Sequence, residues 1–350
     1  MIRRARTMVF AGEFWEGASG RGLGDGFRDD GWSVQEIDQR DFGVRPSARL
    51  DLRVLGRLTR SVAASLYRER ILQACRVLRP DVLMVIKGIG ITIDLLKTVR
   101  AEGVRTVMFY PDVAFDHHGV DTDSFRLYDL FVTTKTFQHT YLNRMLDNAR
   151  VAHVPHGYVG AVHRPVYENM DESNFVTDVL HAGNHSLHKQ HLLEDVAAAL
   201  PDVRFRLVGN RWTGAVRGGT LSRCDMPGER IGVAYAEAIQ TARINVAVHM
   251  GITSTEWFDL VSTRTFEIPA CGGFMLHIDN DEVREYFIPG TEIDVFSDAE
   301  ELTDKVRFYL ERPEVRAKMI ARAYTRTVPS YGYAARANAL SRLIGDRLGI

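Results

Sequence analysis

Residues 262–279 read STRTFEIPACGGFMLHID and place Arg264 and Glu267 three apart among small and apolar neighbours. Such surroundings imply burial, and a buried guanidinium or carboxylate is costly unless it is paired or liganded. Two readings are open. The two side chains form an i,i+3 ion pair, which on an exposed helix contributes only a few tenths of a kcal/mol, or each takes a ligand group. A carboxylate can accept both vicinal hydroxyls of a ribose, and a guanidinium suits phosphate. A second cation supports the ligand reading. In LHAGNHSLHKQHLLEDVAAAL (180–200), Lys189 follows a strand, a turn through Gly183 and Asn184, and the start of a helix. Backbone N–H groups and a cation in a helix's first turn together hold phosphate. Lys189 and Arg264, at two helix starts beside strand ends, suit a diphosphate.

The segment YPDVAFDHHG (110–119) offers Asp112, Asp116, His117 and His118. Asp112, immediately after a strand, is a candidate base or holder of an acceptor hydroxyl, or a turn-forming aspartate after Pro111. Adjacent histidines on a loop point apart and no third ligand has a defined spacing, so no metal is expected. The segment AGEFWEGASGRGLGDG (11–26) reads as a glycine-rich loop after the first strand, with Gly17, Gly20 and Gly22 letting backbone approach an acceptor. Gly20, Gly22 and Gly24 are evenly spaced and miss the G-x-G-x-x-G dinucleotide pattern, although Asp38 ends the second strand. The three cysteines lack C-x-x-C spacing, so neither a disulfide framework nor a zinc site is expected.

The elements that must position these residues are legible as alternation. Strand candidates are 7–12, 32–38, 81–88, 105–111, 129–134 and 151–155, with helical patterns at about 50–79, 92–102 and 135–147 between them. The segment PHGYVGAVHRPVYENMDESN (155–174) breaks the rhythm. Alternation restarts with strands at 177–183, 203–209, 243–250, 272–279 and 291–297, helices at about 187–200 and 233–242, and a mostly helical end from about 298. A chain of 350 residues exceeds the size at which a single core stops growing. The expectation is an α/β protein of two Rossmann-like parallel-sheet domains facing a central cleft, 1–160 and 161–330, with 331–350 a terminal helix. Ligands of open parallel sheets bind at the strand C-termini.

Charge is nearly balanced, a formal −1, which gives no overall field for nucleic acid or anionic membrane. Residues 1–160 hold 23 Lys and Arg against 19 Asp and Glu. Much of that excess lies in 51–79, an amphipathic helical pattern with a basic face that is either solvated or turned toward an acidic acceptor. The run MVFAG is too short for a signal core, and no run approaches the roughly 20 apolar residues that span a bilayer. A reduced, cytoplasmic protein is expected.

Taken together, RTFEIPACGGFMLHIDNDEVREYFIPGTEIDVFSDAEELTDKVRFYLERPEVRAKM (264–319), the linker HVPHGYVGAVHRP and LHAGNHSLHKQHLL resemble the GT-B glycosyltransferases, specifically the CgeB-like (spore-coat protein) family. The resemblance covers about residues 80–340. It implies sugar transfer from a nucleotide diphosphate sugar, with UDP or dTDP as the nucleotide. The acceptor is left open as a small molecule, glycan, protein or nucleic acid, and no cofactor is implied. The related retaining family 4 enzymes carry two glutamates seven residues apart, the second on the ribose and the first near the sugar. Glu267 matches the second. Asp259 falls at the first, with Glu256 one turn before it. The family's phosphate-binding arginine position reads Asn184, and its lysine is Lys189, so Arg264 is the expected substitute. For the family's acceptor-side histidine the candidates are His156 and His249. Retention would need no protein nucleophile. The implied alternatives are a nucleotide-sugar epimerase and a non-catalytic binding module.

Overall fold

The computed structural model describes residues 5–43, 50–147, 150–249, 251 and 257–350. The chain divides into two units, one of residues 1–155 with 333–350 and one of residues 156–332. The first unit contains β1 (Thr7–Gly12), α1 (Ser19–Asp29), β2 (Ser33–Asp38), α2 (Leu50–Leu78), β3 (Val82–Ile86), α3 (Ile93–Ala101), β4 (Arg105–Tyr110), β5 (Leu130–Thr133), α4 (Thr136–Met145) and β6 (Val151–His153). The second contains β7 (Thr177–Ala182), α5 (Leu187–Ala199), β8 (Phe205–Val208), α6 (Trp212–Ala215), β9 (Asp225–Gly228), α7 (Val233–Gln240), β10 (Ala242–Ala247), α8 (Thr263–Ala270), β11 (Met275–Ile278), α9 (Asp281–Tyr286), β12 (Asp294–Phe296), α10 (Ala299–Leu310) and α11 (Pro313–Thr327). The last helix, α12 (Tyr333–Leu348), belongs to the first unit.

Each unit holds a six-stranded sheet, ordered β2-β1-β3-β4-β5-β6 and β12-β11-β10-β7-β8-β9, and every strand pair is parallel. These are two Rossmann-like units. Central strands such as β3, VLMVI, are buried along their whole length because helices cover both faces. The edge strand β2 instead alternates, with Ile37 its one buried residue. In the second unit the strand period of two splits the core. Leu180, Ala182 and Met275 pack on one face with Ile239, Phe266 and Ile268. Val179, Leu207 and Leu276 pack on the other with Leu193, Trp212 and Phe274.

The expected glycine-rich loop is corrected. Gly17 lies in a loop, but Gly20, Gly22, Gly24 and Gly26 fall within α1. The cause is packing. A Cβ on Gly26 would sit 2.7 Å from Ala337 Cβ and 2.9 Å from Ala334 Cα, so glycine there lets α12 lie directly on α1. Trp32 Nε1 donates to Ser341 Oγ (2.8 Å) and Asn338 Nδ2 donates to Asp30 Oδ1 (2.8 Å), fixing α12 in register. A Cβ on Gly20 would press on the Glu13 carbonyl oxygen at 2.4 Å. Gly26 serves helix packing and Gly20 the close approach of a loop carbonyl, roles that helix propensity alone opposes.

Candidate functional site

In the second sheet the strand order reverses between β7 and β10, so the crevice beyond their C-termini is the switch point at which open parallel sheets take ligands. Gly183 and Asn184 leave β7, and His249 follows β10. Ser262 opens α8, whose first turn carries Arg264.

The guanidinium of Arg264 lies against Gly183. A Cβ at 183 would be 2.9 Å from Nη1 and 3.1 Å from Cζ, so only glycine permits the approach. Trp212 Nε1 donates to the Gly183 carbonyl (2.8 Å), and Asn184 Oδ1 accepts from the Asn210 N–H (2.9 Å), which hold this turn in place. Lys189 is buried at 2% exposure in the first turn of α5, capped by Ser186. Its Nζ donates to the Asn184 carbonyl (2.9 Å). Burial, then repulsion from Arg264, push the Lys189 ammonium down from 10.5 to about 7, against the attraction of Asp259. Among the described residues neither Lys189 nor Arg264 forms an ion pair with a carboxylate, and Arg264 Nε is buried without a partner. Two basic side chains side by side, with no carboxylate in ion-pair contact and only the attraction of Asp259 to offset their repulsion, are an arrangement that suits an anion.

Arg264 does not pair with Glu267, so the i,i+3 reading is set aside. Glu267, on α8, is buried at 7% exposure. Its Oε2 accepts from the Tyr235 hydroxyl of α7 (2.8 Å), and its Oε1 is 3.8 Å from His163 Nε2. His163 Nδ1 accepts the Val159 N–H (3.0 Å), so a neutral imidazole turns its Nε2–H toward Glu267. Burial holds His163 below its ordinary value. Burial and the adjacent Glu267 raise the Tyr235 hydroxyl far above its own. Asp259 is buried and its charge reaches Lys189. Glu256 lies outside the described residues.

Sequence reasoning missed His181 and His277. His181 in β7, His249 after β10 and His277 in β11 occupy the ends of three adjacent strands. His249 Nε2 is 2.9 Å from His277 Nε2, and His249 Nδ1 is 3.0 Å from Ser262 Oγ and 3.4 Å from Arg264 Nη2. Thr265 Oγ1 also reaches His277 Nε2 (3.0 Å). The signal was available as LHAG, VAVHM and MLHID, each with a histidine at a strand's end. His249, a candidate for the acceptor-side histidine, lies within hydrogen-bond distance of Arg264.

The remaining candidates lie elsewhere. Asp112, after β4 in the first unit, is 3.2 Å from Lys87 Nζ and 3.4 Å from His117 Nε2. Burial opposes the charge on Lys87, but Asp112 outweighs it and raises the ammonium. Gln138 Nε2 donates to the carbonyls of Asp112 and Val113 (2.8 Å each) and fixes this turn. Gly17, Gly20 and Gly22 are in the same unit, whereas His156, buried, is the first residue of the second unit. Among the described residues no three His, Cys, Asp or Glu side chains gather as a metal-ligand set, and no helix is long and apolar enough to cross a membrane.

Residues 187–342 match a family model described as glycosyl transferase-like, covering α5 through most of α12. No curated protein matches the chain in sequence. Among solved structures, Anabaena Alr3699/HepE in complex with UDP-glucose aligns with a TM-score of 0.65 at 14% identity, over 97% of this chain and 99% of that one. Sucrose-phosphate synthase from Thermosynechococcus elongatus aligns with a TM-score of 0.65 at 14% identity, over 98% and 99%. A putative UDP-N-acetylglucosamine 2-epimerase from Listeria monocytogenes aligns with a TM-score of 0.58 at 10% identity, over 99% and 97%. The chain therefore has the GT-B fold of two Rossmann-like units and carries a glycosyltransferase-like domain.

Proposed function

We propose that the protein is a glycosyltransferase that moves a sugar from a nucleotide diphosphate sugar to an acceptor, without a metal and with retention at the anomeric carbon. The observation that carries this reading is the pair Lys189 and Arg264, side by side with no carboxylate in ion-pair contact, at the β7/β10 switch point and inside the region matched by the glycosyl transferase-like model. The diphosphate sits on these cations, the backbone after Gly183 and Asn184, and the start of α5. Charge grows on the β-phosphate oxygen as the glycosidic bond breaks, and fixed cations in a dry site stabilise it without reorganising. Glu267, steadied by Tyr235, accepts the ribose hydroxyls, and Asp259 contacts the donor sugar. A uridine nucleotide is favoured over dTDP because of the fold shared with an Anabaena protein that binds UDP-glucose. The run RTFEIPACGG supports placement in the CgeB-like branch. In the first unit Asp112, paired with Lys87, orients the acceptor hydroxyl; were the reaction inverting, it would be the base.

Thermal unfolding of the full chain with UDP, dTDP, GDP, ADP and their common sugars tests the donor site. A ligand at 100 times its Kd raises stability by about 2.7 kcal/mol, so one nucleotide should shift the transition clearly in the wild type and not in Glu267→Ala. Absence of any shift would refute the donor site. The fold shared with a putative epimerase favours a second reading. Consumption of UDP-sugar with no second substrate, giving an isomeric UDP-sugar, would establish that reading in place of transfer.

A further inference from the structure

Arg264 is held by an unusual partner. A buried guanidinium is ordinarily anchored by a carboxylate, yet the only side-chain hydrogen bond of Arg264 among the described residues is from Nη2 to His249 Nδ1 (3.4 Å). The protons along this chain follow from one fixed point. His277 Nδ1 is 2.7 Å from the Ile278 carbonyl oxygen, which can only accept, so the hydrogen is on Nδ1 and Nε2 is a lone pair. His249 Nε2, 2.9 Å away, must then carry its hydrogen toward His277, because two lone pairs cannot face each other. That leaves His249 Nδ1 as the acceptor for Ser262 Oγ–H and the Arg264 guanidinium. Burial pushes His277 down to about 4, which keeps that imidazole neutral near pH 7. His181 is neutral as well: its Nδ1 donates to the Val246 carbonyl (2.9 Å) and its buried Nε2 has no partner.

We infer that His249 is a positioning residue which, oriented by His277, anchors the Arg264 guanidinium through an uncharged nitrogen and so leaves its charge free for the donor's diphosphate. This rests on the donor site proposed above. A carboxylate in the same place would hold the arginine as well but cancel the charge that binds phosphate.

The test compares His249→Asn with His249→Asp in the full chain, because the two side chains have the same shape and differ in charge. Calorimetric titration with pyrophosphate and with UDP is the readout, and a melting curve confirms folding of each variant. His249→Asn keeps an acceptor for Arg264 and should bind pyrophosphate within about threefold of wild type. His249→Asp should bind about tenfold more weakly or worse, as expected for a charge-assisted contact neutralised in a buried site. In an Arg264→Gln background the Asn–Asp difference should shrink to less than half, the coupling expected of groups in contact. Should either 249 variant fail to fold, His277→Gln and His277→Leu replace them: glutamine can accept from His249 Nε2–H and leucine cannot, so only leucine should weaken binding. Equal binding by each pair, or an Asn–Asp gap untouched by Arg264→Gln, overturns the inference while the donor site stands. No binding of UDP or pyrophosphate by the wild type overturns both.

Discussion

Replacing Lys189 with methionine removes a charge that the folded chain holds at a cost. The ammonium is buried at 2% exposure, its hydrogen bond is to a carbonyl, and its value falls from 10.5 to about 7. Below about pH 7 it is protonated in both folded and unfolded chains, and the cost of burying it is fully present. Between about pH 7 and 10.5 the unfolded chain binds the extra proton, so stability rises with pH across this window and the cost is gone above it. A drop from 10.5 to about 7 corresponds to about 5 kcal/mol at 1.36 kcal/mol per pKa unit. The lost bond to the Asn184 carbonyl, about 1.5–3 kcal/mol for a charged donor, offsets part of that. Lys189→Met should therefore be more stable than wild type by about 2 kcal/mol at pH 6, or about 4–8 °C in melting temperature. The advantage should shrink steadily toward pH 10. The variant should also lose the UDP-induced shift, and calorimetry in buffers of different ionisation enthalpy should show wild type taking up a proton on binding near pH 7.5. A variant less stable than wild type at pH 6, or a difference that ignores pH, would refute the claim that Lys189 is a strained cation held for a ligand.

Three further outcomes are expected. Tyr235→Phe should weaken UDP binding by about tenfold or more, because it removes a hydrogen bond to the Glu267 carboxylate and such bonds to a charged group contribute about 1.5–3 kcal/mol, while pyrophosphate binding, which does not involve the ribose, stays at the wild-type value in titration. Gly26→Val should lower the melting temperature of the chain, because the added carbons meet Ala337 and Ala334 below 3 Å and overpacking costs about 1–3 kcal/mol; the UDP shift of the folded variant should persist. Dialysis against EDTA should leave transfer activity at its starting value in a product assay, and full loss restored by a divalent cation would reject the metal-free reading.

Much was written in local sequence. Strand and helix alternation, the short apolar runs of β1, β3, β4 and β10, and the helix starts before Lys189 and Arg264 are short-range signals, set by side-chain period and capping. They were read within a few residues of their observed bounds. The residue types of the proposed anion site were legible too, since cations near helix starts suit phosphate whatever surrounds them. Tertiary structure decided the rest. The glycines of GRGLGDG look the same locally in a loop as in a helix; only the arrival of α12, more than 300 residues later, makes Gly26 a contact surface. Arg264 and Glu267 are spaced for mutual pairing, yet parallel packing turns one toward Gly183 and the other toward Tyr235. His249 and His277 meet, with His181 on the next strand, because β7, β10 and β11 are neighbours in the sheet, and parallel pairing is long-range, with no turn in the sequence to announce it.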